Sequence, residues 1–169
     1  MRTLITALVL VSTFASTSAF SQVTPEEEFK GKSSPVDLNF GALAGMGILD
    51  STAGFQLVGA VAKKIVNRGF IPDLNNQVFA ELQFGPLFVA SSTAWFYSAH
   101  VRWDFKRDSE WTFYALGGIA GHITGQALGD RWTALPRFGV GAFCKVAPML
   151  TLRGELSHEL IGVGVSYSL

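Results

Sequence analysis

Hydrophobic and polar residues alternate with a period of two over most of the chain, from Asp37 to Leu169. The clearest stretch runs from Ala94 to Lys106, where apolar and aromatic side chains alternate with a second set that becomes polar along its later half. A β-strand separates such sets onto opposite faces, whereas a helix would mix them around its circumference. The alternation therefore predicts an all-β protein.

The same alternation recurs in eight segments, most of them separated by turn-forming residues. The predicted strands are Leu38–Gly47, Phe55–Ala62, Val78–Phe84, Ala94–Lys106, Trp111–Ile123, Pro136–Val146, Leu150–Leu160 and Ile161–Leu169. Two antiparallel architectures fit this number of strands. A soluble barrel turns its apolar face inward, and a transmembrane β-barrel turns it outward to lipid.

The composition of the two faces favours the transmembrane barrel. The apolar faces carry few charges, and their aromatic residues lie near the predicted strand ends, where membrane barrels form interfacial girdles. The predicted interface aromatics are Trp95, Trp103, Trp111, Trp132 and Tyr167. The opposite faces are rich in small residues, which suits the narrow interior of an eight-stranded barrel filled by side chains.

A helical alternative rests on two segments without charged residues. Leu82 to Val101 and Trp111 to Gly129 are each long enough to cross a bilayer as a helix, which needs about 20 residues. Pro86 interrupts the first segment, and several glycines weaken the second. The alternation also continues outside both segments, so the barrel is the favoured interpretation.

Composition and charge agree with a membrane protein. Charged residues make up 15% of the chain, against about 25% in a typical soluble domain. Lys and Arg together number 13, as do Asp and Glu, so no basic excess favours binding to nucleic acid. The single cysteine, Cys144, excludes an internal disulfide and a zinc site built from cysteines, and we expect no cofactor.

The N-terminus has the form of a secretory signal peptide. Arg2 precedes the apolar run Leu4–Val11, and Thr17–Ala19 forms a small-x-small cleavage site. We expect cleavage after residue 19, with a second candidate site after Ser21. Residues 20–35 are predicted to form a polar periplasmic tail, and residues 36–169 to form the barrel.

These features resemble the small eight-stranded outer-membrane proteins of Gram-negative bacteria, of the OmpA-barrel and OmpX type. The likeness is carried by the signal peptide Met1–Ala19, the segment WFYSAHVRWDF and the terminal strand Ile161–Leu169. Proteins of those families end in a strand of alternating apolar residues with a terminal aromatic residue, and the barrel-assembly machinery recognises this strand. Here the last residue is Leu169. The resemblance implies a bacterial outer-membrane location, contact with outer-membrane lipid and assembly by that machinery.

Charged residues of both signs share the face predicted to line the lumen. They are Glu81, His100, Arg102, Asp104, Arg137, Lys145, Arg153 and Glu155. Buried charges need partners, because an unpaired ion in an interior of low dielectric constant is costly. We therefore predict a salt-bridge network that closes the lumen, in which Glu81 or Glu155 holds Arg102.

Three classes of function remain open at this point. The first is a structural or protein-interaction barrel, which would include a partner in a membrane-protein complex. The second is a narrow pore for small solutes or a site for a small ligand. The third is a lipid-modifying enzyme, for which Ser157–Glu159 and His122 with Thr124 are weak candidates, because neighbours on one strand point to opposite faces. We predict no catalytic or metal-binding residues.

The predicted topology places both termini on the periplasmic side. The connections around 49–54, 90–93, 124–134 and 157–160 would then face outward. The connection from Asn67 to Asn76 would be a long periplasmic turn.

Overall fold

The computed structural model describes residues 36–71, 74–90, 92–125, 128 and 131–169. The predicted signal peptide and polar tail lie outside the described residues. In the part of the chain that is described, no helix is long and apolar enough to cross a membrane.

Eight antiparallel strands form a closed barrel in which each strand pairs with its neighbours in sequence and β8 closes on β1. The strands are β1 (Leu38–Leu49), β2 (Thr52–Val66), β3 (Asn76–Val89), β4 (Ser92–Lys106), β5 (Trp111–Thr124), β6 (Leu135–Ala147), β7 (Leu150–Ser157) and β8 (Leu160–Ser168). The predicted fold class is confirmed. The helical alternative is wrong, because the described residues of both uncharged segments lie almost entirely in β3, β4 and β5.

The strand boundaries differ from the prediction mainly where hydrogen bonding continues past the apolar alternation. β2 and β3 extend beyond both predicted ends, since each is paired along its length with a neighbour. β7 is shorter than predicted and ends at Ser157, whose hydroxyl accepts a hydrogen bond from the Leu160 backbone N–H at 3.2 Å. That bond closes the turn at residues 158–159.

The connections define two ends of the barrel. The termini end carries Val36, Leu169 and the connections 67–75, 107–110 and 148–149, while the loop end carries 50–51, 90–91, 125–134 and 158–159. At the loop end, Asp50 and Ser51 have φ angles of 48° and 66°. Positive φ at both central residues is the geometry of a two-residue hairpin whose twist matches its strands.

Apolar side chains cover the outer wall, and aromatic rings pack in pairs toward both ends. The loop-end pairs are Phe55–Phe88, Phe84–Trp95 and Tyr97–Trp132. The termini-end pairs are Phe70–Trp103, Trp103–Phe105 and Trp111–Phe113. Along β4, Trp95 and Trp103 are separated by roughly 26 Å of strand, which after tilting suits the apolar band of an outer-membrane barrel.

Candidate functional site

The site with the most polar chemistry is the barrel lumen, and its charged side chains come from strands on opposite sides. Glu81 on β3 and Arg102 on β4 face Arg137 on β6 and Arg153 on β7. Gly141 of β6 faces inward without a side chain, and the Tyr114 ring packs against its backbone. The central side chains are almost fully buried.

Arg102 anchors the termini end of the network. Its guanidinium donates to the Glu81 carboxylate and, in a paired arrangement at 2.7 and 3.0 Å, to both oxygens of Asp104. A further Nη2–H donates to the side-chain oxygen of Asn39 at 3.0 Å. Arg102 is therefore held by Glu81, as predicted, and by Asp104; Glu155, the other predicted partner, does not contact it.

Arg153 links the two halves of the network across the lumen. Its Nη2 lies 2.6 Å from Glu81 Oε1 and 2.6 Å from Glu155 Oε2. Its Nε donates to the Tyr114 hydroxyl oxygen at 3.1 Å, and that hydroxyl donates to Glu155 at 3.2 Å. Buried carboxylates are thus shared between cations and supported by neutral donors.

Arg137 completes the network toward the loop end. It donates to Glu155, and to the Gln83 side-chain oxygen at 2.9 Å. The Gln83 amide nitrogen donates to Glu81 at 2.8 Å and to Glu155 at 3.2 Å. The Arg137 Nε also lies 3.8 Å from a carboxylate oxygen of Glu159.

The centre of the network balances charge. Three guanidinium groups meet three carboxylates, which is the composition a buried ion cluster needs. The guanidiniums also lie over aromatic rings: Arg102 is 4.8 Å from the ring centroids of Phe79 and Phe143, and Arg153 is 5.1 Å from that of Tyr114. These rings were not among the predicted site residues, although the alternation places them on the lumen face.

Two predicted members hold less central positions. His100 lies 3.4 Å from Glu81 through Nε2 and hydrogen-bonds to Ser98 through Nδ1 at 2.8 Å. Lys145 faces the lumen but lies at the termini end, where it is exposed and forms no ion pair with another described residue. Its inclusion in the network is wrong, because β6 carries it beyond the level at which the carboxylates meet.

Apolar side chains fill the lumen between the network and the loop end. One cluster contains Leu43, Val58, Phe96, Ala120 and Leu160. A second, nearer the loop end, contains Leu49, Leu87, Val89 and Ala94, with Leu128 packed against it. Together with the ionic layer, these clusters leave the interior occupied by side chains.

The candidate hydrolytic residues do not assemble into a nucleophile and base. The Ser157 hydroxyl hydrogen-bonds to the backbone of Leu160, while the His158 Nε2 lies 2.6 Å from Glu159. Burial raises the pKa of the Glu159 carboxyl above its ordinary value, against the opposing effects of Arg137 and His158. His122 packs against Phe96, and the Thr124 hydroxyl bonds to the backbone of residue 131.

The predicted interface aromatics all lie on the outer wall. Trp95, Trp111, Trp132 and Tyr167 are exposed, and the partly covered Trp103 donates its indole N–H to Asn76 at 2.9 Å. The outward alternation on β6 also carries Cys144, which pairs across the ladder with Trp111 and Leu152.

The barrel is similar to solved structures of small transmembrane barrels. A de novo designed transmembrane β-barrel superposes with a TM-score of 0.54 and 20% identity, covering 82% of this chain and 99% of that one. Ail, the attachment invasion locus protein of Yersinia pestis, gives a TM-score of 0.50 and 11% identity over 83% of this chain and 99% of its own. Ail in complex with the heparin analogue sucrose octasulfate gives 0.52 and 12%, covering 79% and 97%.

No protein-family model and no curated protein sequence matches the chain. At identities this low, structural likeness establishes the fold. The chain therefore has the fold of a small eight-stranded outer-membrane β-barrel.

Proposed function

We propose that this protein is a bacterial outer-membrane barrel with a structural or protein-interaction role and a lumen closed to solutes. The fold and the apolar outer wall with aromatic pairs toward both ends support insertion in that membrane. Its partners would then be outer-membrane lipid and the barrel-assembly machinery. An interaction role would be exerted within a membrane-protein complex.

The observation that carries the closed lumen is the salt-bridge network. Arg102, Arg137 and Arg153 have 1%, 0% and 2% of their surface exposed, and each spans toward carboxylates on other strands. The apolar clusters on the loop-end side of the network block the lumen at a second level. Opening a path would require breaking several buried ion pairs at once, which is energetically costly.

We infer no catalytic role for the barrel. The Ser157 hydroxyl bonds to backbone, and the neighbouring histidine pairs with a carboxylate instead of the serine. Nucleophilic catalysis needs the hydroxyl and its base within hydrogen-bonding reach.

Conductance in planar lipid bilayers tests the closed lumen. We expect the reconstituted protein to show no single-channel steps. The double variant Arg137→Ala, Arg153→Ala should still show no steps, because the apolar cluster around Phe96 remains in the lumen, and adding Phe96→Ala should produce them. Regular steps from the unmodified protein would contradict the proposal and favour the narrow pore.

A further inference from the structure

The termini end of the barrel contains a polar cavity that the salt-bridge network does not fill. Its volume is about 190 Å³, and residues from every strand except β2 line it. We call this cavity the vestibule. It is smaller than the roughly 300 Å³ at which sites for drug-sized ligands begin, so it suits a small molecule or a single functional group.

The network forms the floor of the vestibule. Arg102 lies there between the rings of Phe79 and Phe143, and its charge is met by Glu81 and Asp104. Because this floor is packed and ion-paired, the vestibule is closed toward the loop end. Access is from the termini end alone.

Two lysines at the mouth of the vestibule form no ion pair with another described residue. Lys106 and Lys145 both line the cavity, and neither forms an ion pair within the described part of the chain. Lys64, another inward-facing lysine at this end, is instead paired with Asp37 at 3.1 Å. The central network is already balanced, so the two lysines add positive charge at the mouth, where Glu110 supplies one carboxylate.

Two amide side chains with most of their surface covered line the vestibule wall. Asn75 and Gln77 are only 5% and 7% exposed, and their side chains form no hydrogen bond with another described residue. Their amide atoms are not among the enclosed polar atoms that lack a partner, so they face the open space of the cavity. The wall therefore presents polar groups that an occupant of the vestibule would satisfy.

We propose that the vestibule binds a small anion with carboxylate or phosphate oxygens. The ammonium groups of Lys106 and Lys145 supply charge-assisted hydrogen bonds, and the amides of Asn75 and Gln77 supply neutral ones. This site is independent of whether the lumen conducts.

The anionic oxygens have two possible sources. One is a solute from the compartment at the termini end. The other is the chain itself, since the carboxylates of Glu26–Glu28 precede Val36, a residue of the vestibule wall, by eight residues or slightly more. Both sources share one chemistry, so the experiment must separate them.

Isothermal titration calorimetry of the full mature chain in zwitterionic detergent, with inorganic phosphate and succinate as probes, tests the site. We expect saturable binding that weakens as sodium chloride is added. Lys106→Gln and Lys145→Gln should each weaken binding about three- to tenfold. Lys63→Gln is the matched control, because Lys63 is an exposed outer-wall lysine at the same end and should leave affinity unchanged.

The absence of saturable binding both in the unmodified chain and in a variant without the carboxylates of Glu26–Glu28 would overturn the proposal, as would an equal loss in the Lys63 variant. Gel mobility before and after heating verifies that each variant is folded. The triple variant Glu26→Gln, Glu27→Gln, Glu28→Gln identifies the source. Tighter phosphate binding in that variant shows that the chain's own carboxylates compete for the site, and unchanged binding assigns the site to a solute.

Discussion

Arg102 shows how one buried side chain depends on its partners. It donates to Glu81, Asp104 and Asn39. Glu81 has a second cation in Arg153, but among the described residues Asp104 pairs with Arg102 alone. Loss of the guanidinium would therefore leave Asp104 as the most poorly compensated charge.

Replacing Arg102 with methionine should destabilise the barrel by about 3–5 kcal/mol, because it leaves buried carboxylate unpaired. Adding Asp104→Asn should recover part of that loss by removing the orphaned charge. The temperature at which the fast-migrating folded form is lost on gels measures both effects. Lys145→Gln serves as the control and should change this temperature little. Strictly additive effects of the two substitutions would show that the pair is not coupled.

At the scale of the element, inward-facing glycines allow the inner wall to carry large side chains opposite them. A Cβ at Gly141 would overlap the Tyr114 ring and the backbone oxygen of Gly154. Gly154 lies on the neighbouring strand and faces outward, and a Cβ there would meet nothing within 4 Å. The two glycines thus differ in packing although both lie in paired strands.

Gly141→Ala should destabilise the barrel and lower the yield of refolded protein, because backbone and ring must both move. Gly154→Ala should be neutral or slightly stabilising, since alanine loses less backbone entropy on folding. Refolding yield in detergent, read from gel mobility, compares them. Equal tolerance of both substitutions would show that the inner wall can widen at β6.

At the scale of the whole molecule, the apolar wall defines what surrounds the barrel. Leu82 lies near the middle of β3 and is 58% exposed, while Ile65 lies near the termini end of β2 and is 55% exposed. Their similar exposure but different depth makes them a matched pair.

Leu82→Arg should make the free energy of folding into lipid vesicles less favourable by about 2–4 kcal/mol, which is the cost of an arginine on the lipid face near the bilayer midplane. Ile65→Arg should cost about 0–1 kcal/mol, as expected close to the interface. The folded fraction after refolding into vesicles over a urea series gives both values. An equal loss of folding free energy in the two variants would contradict the expectation that Leu82 lies deeper in the bilayer than Ile65.

The sequence by itself determined the number of strands and the two faces of each strand. These features are local, because side chains alternate with a period of two regardless of what lies across the barrel. The same alternation placed Glu81, Arg102, Arg137 and Arg153 on one face. It also placed Tyr114 there, although that ring was not recognised as part of the site.

The tertiary structure decided which inward-facing groups meet. Glu81 and Arg153 are 72 residues apart, and their contact depends on the tilt and stagger that the strands adopt when the barrel closes. The same geometry kept Glu155 away from Arg102 and left Lys145 at the mouth of the vestibule, whereas Asp104 reaches Arg102 locally, as the neighbour two residues along the same face of β4. Alternation fixes the face of a residue, but its height in the lumen is set by the closed hydrogen-bond ladder.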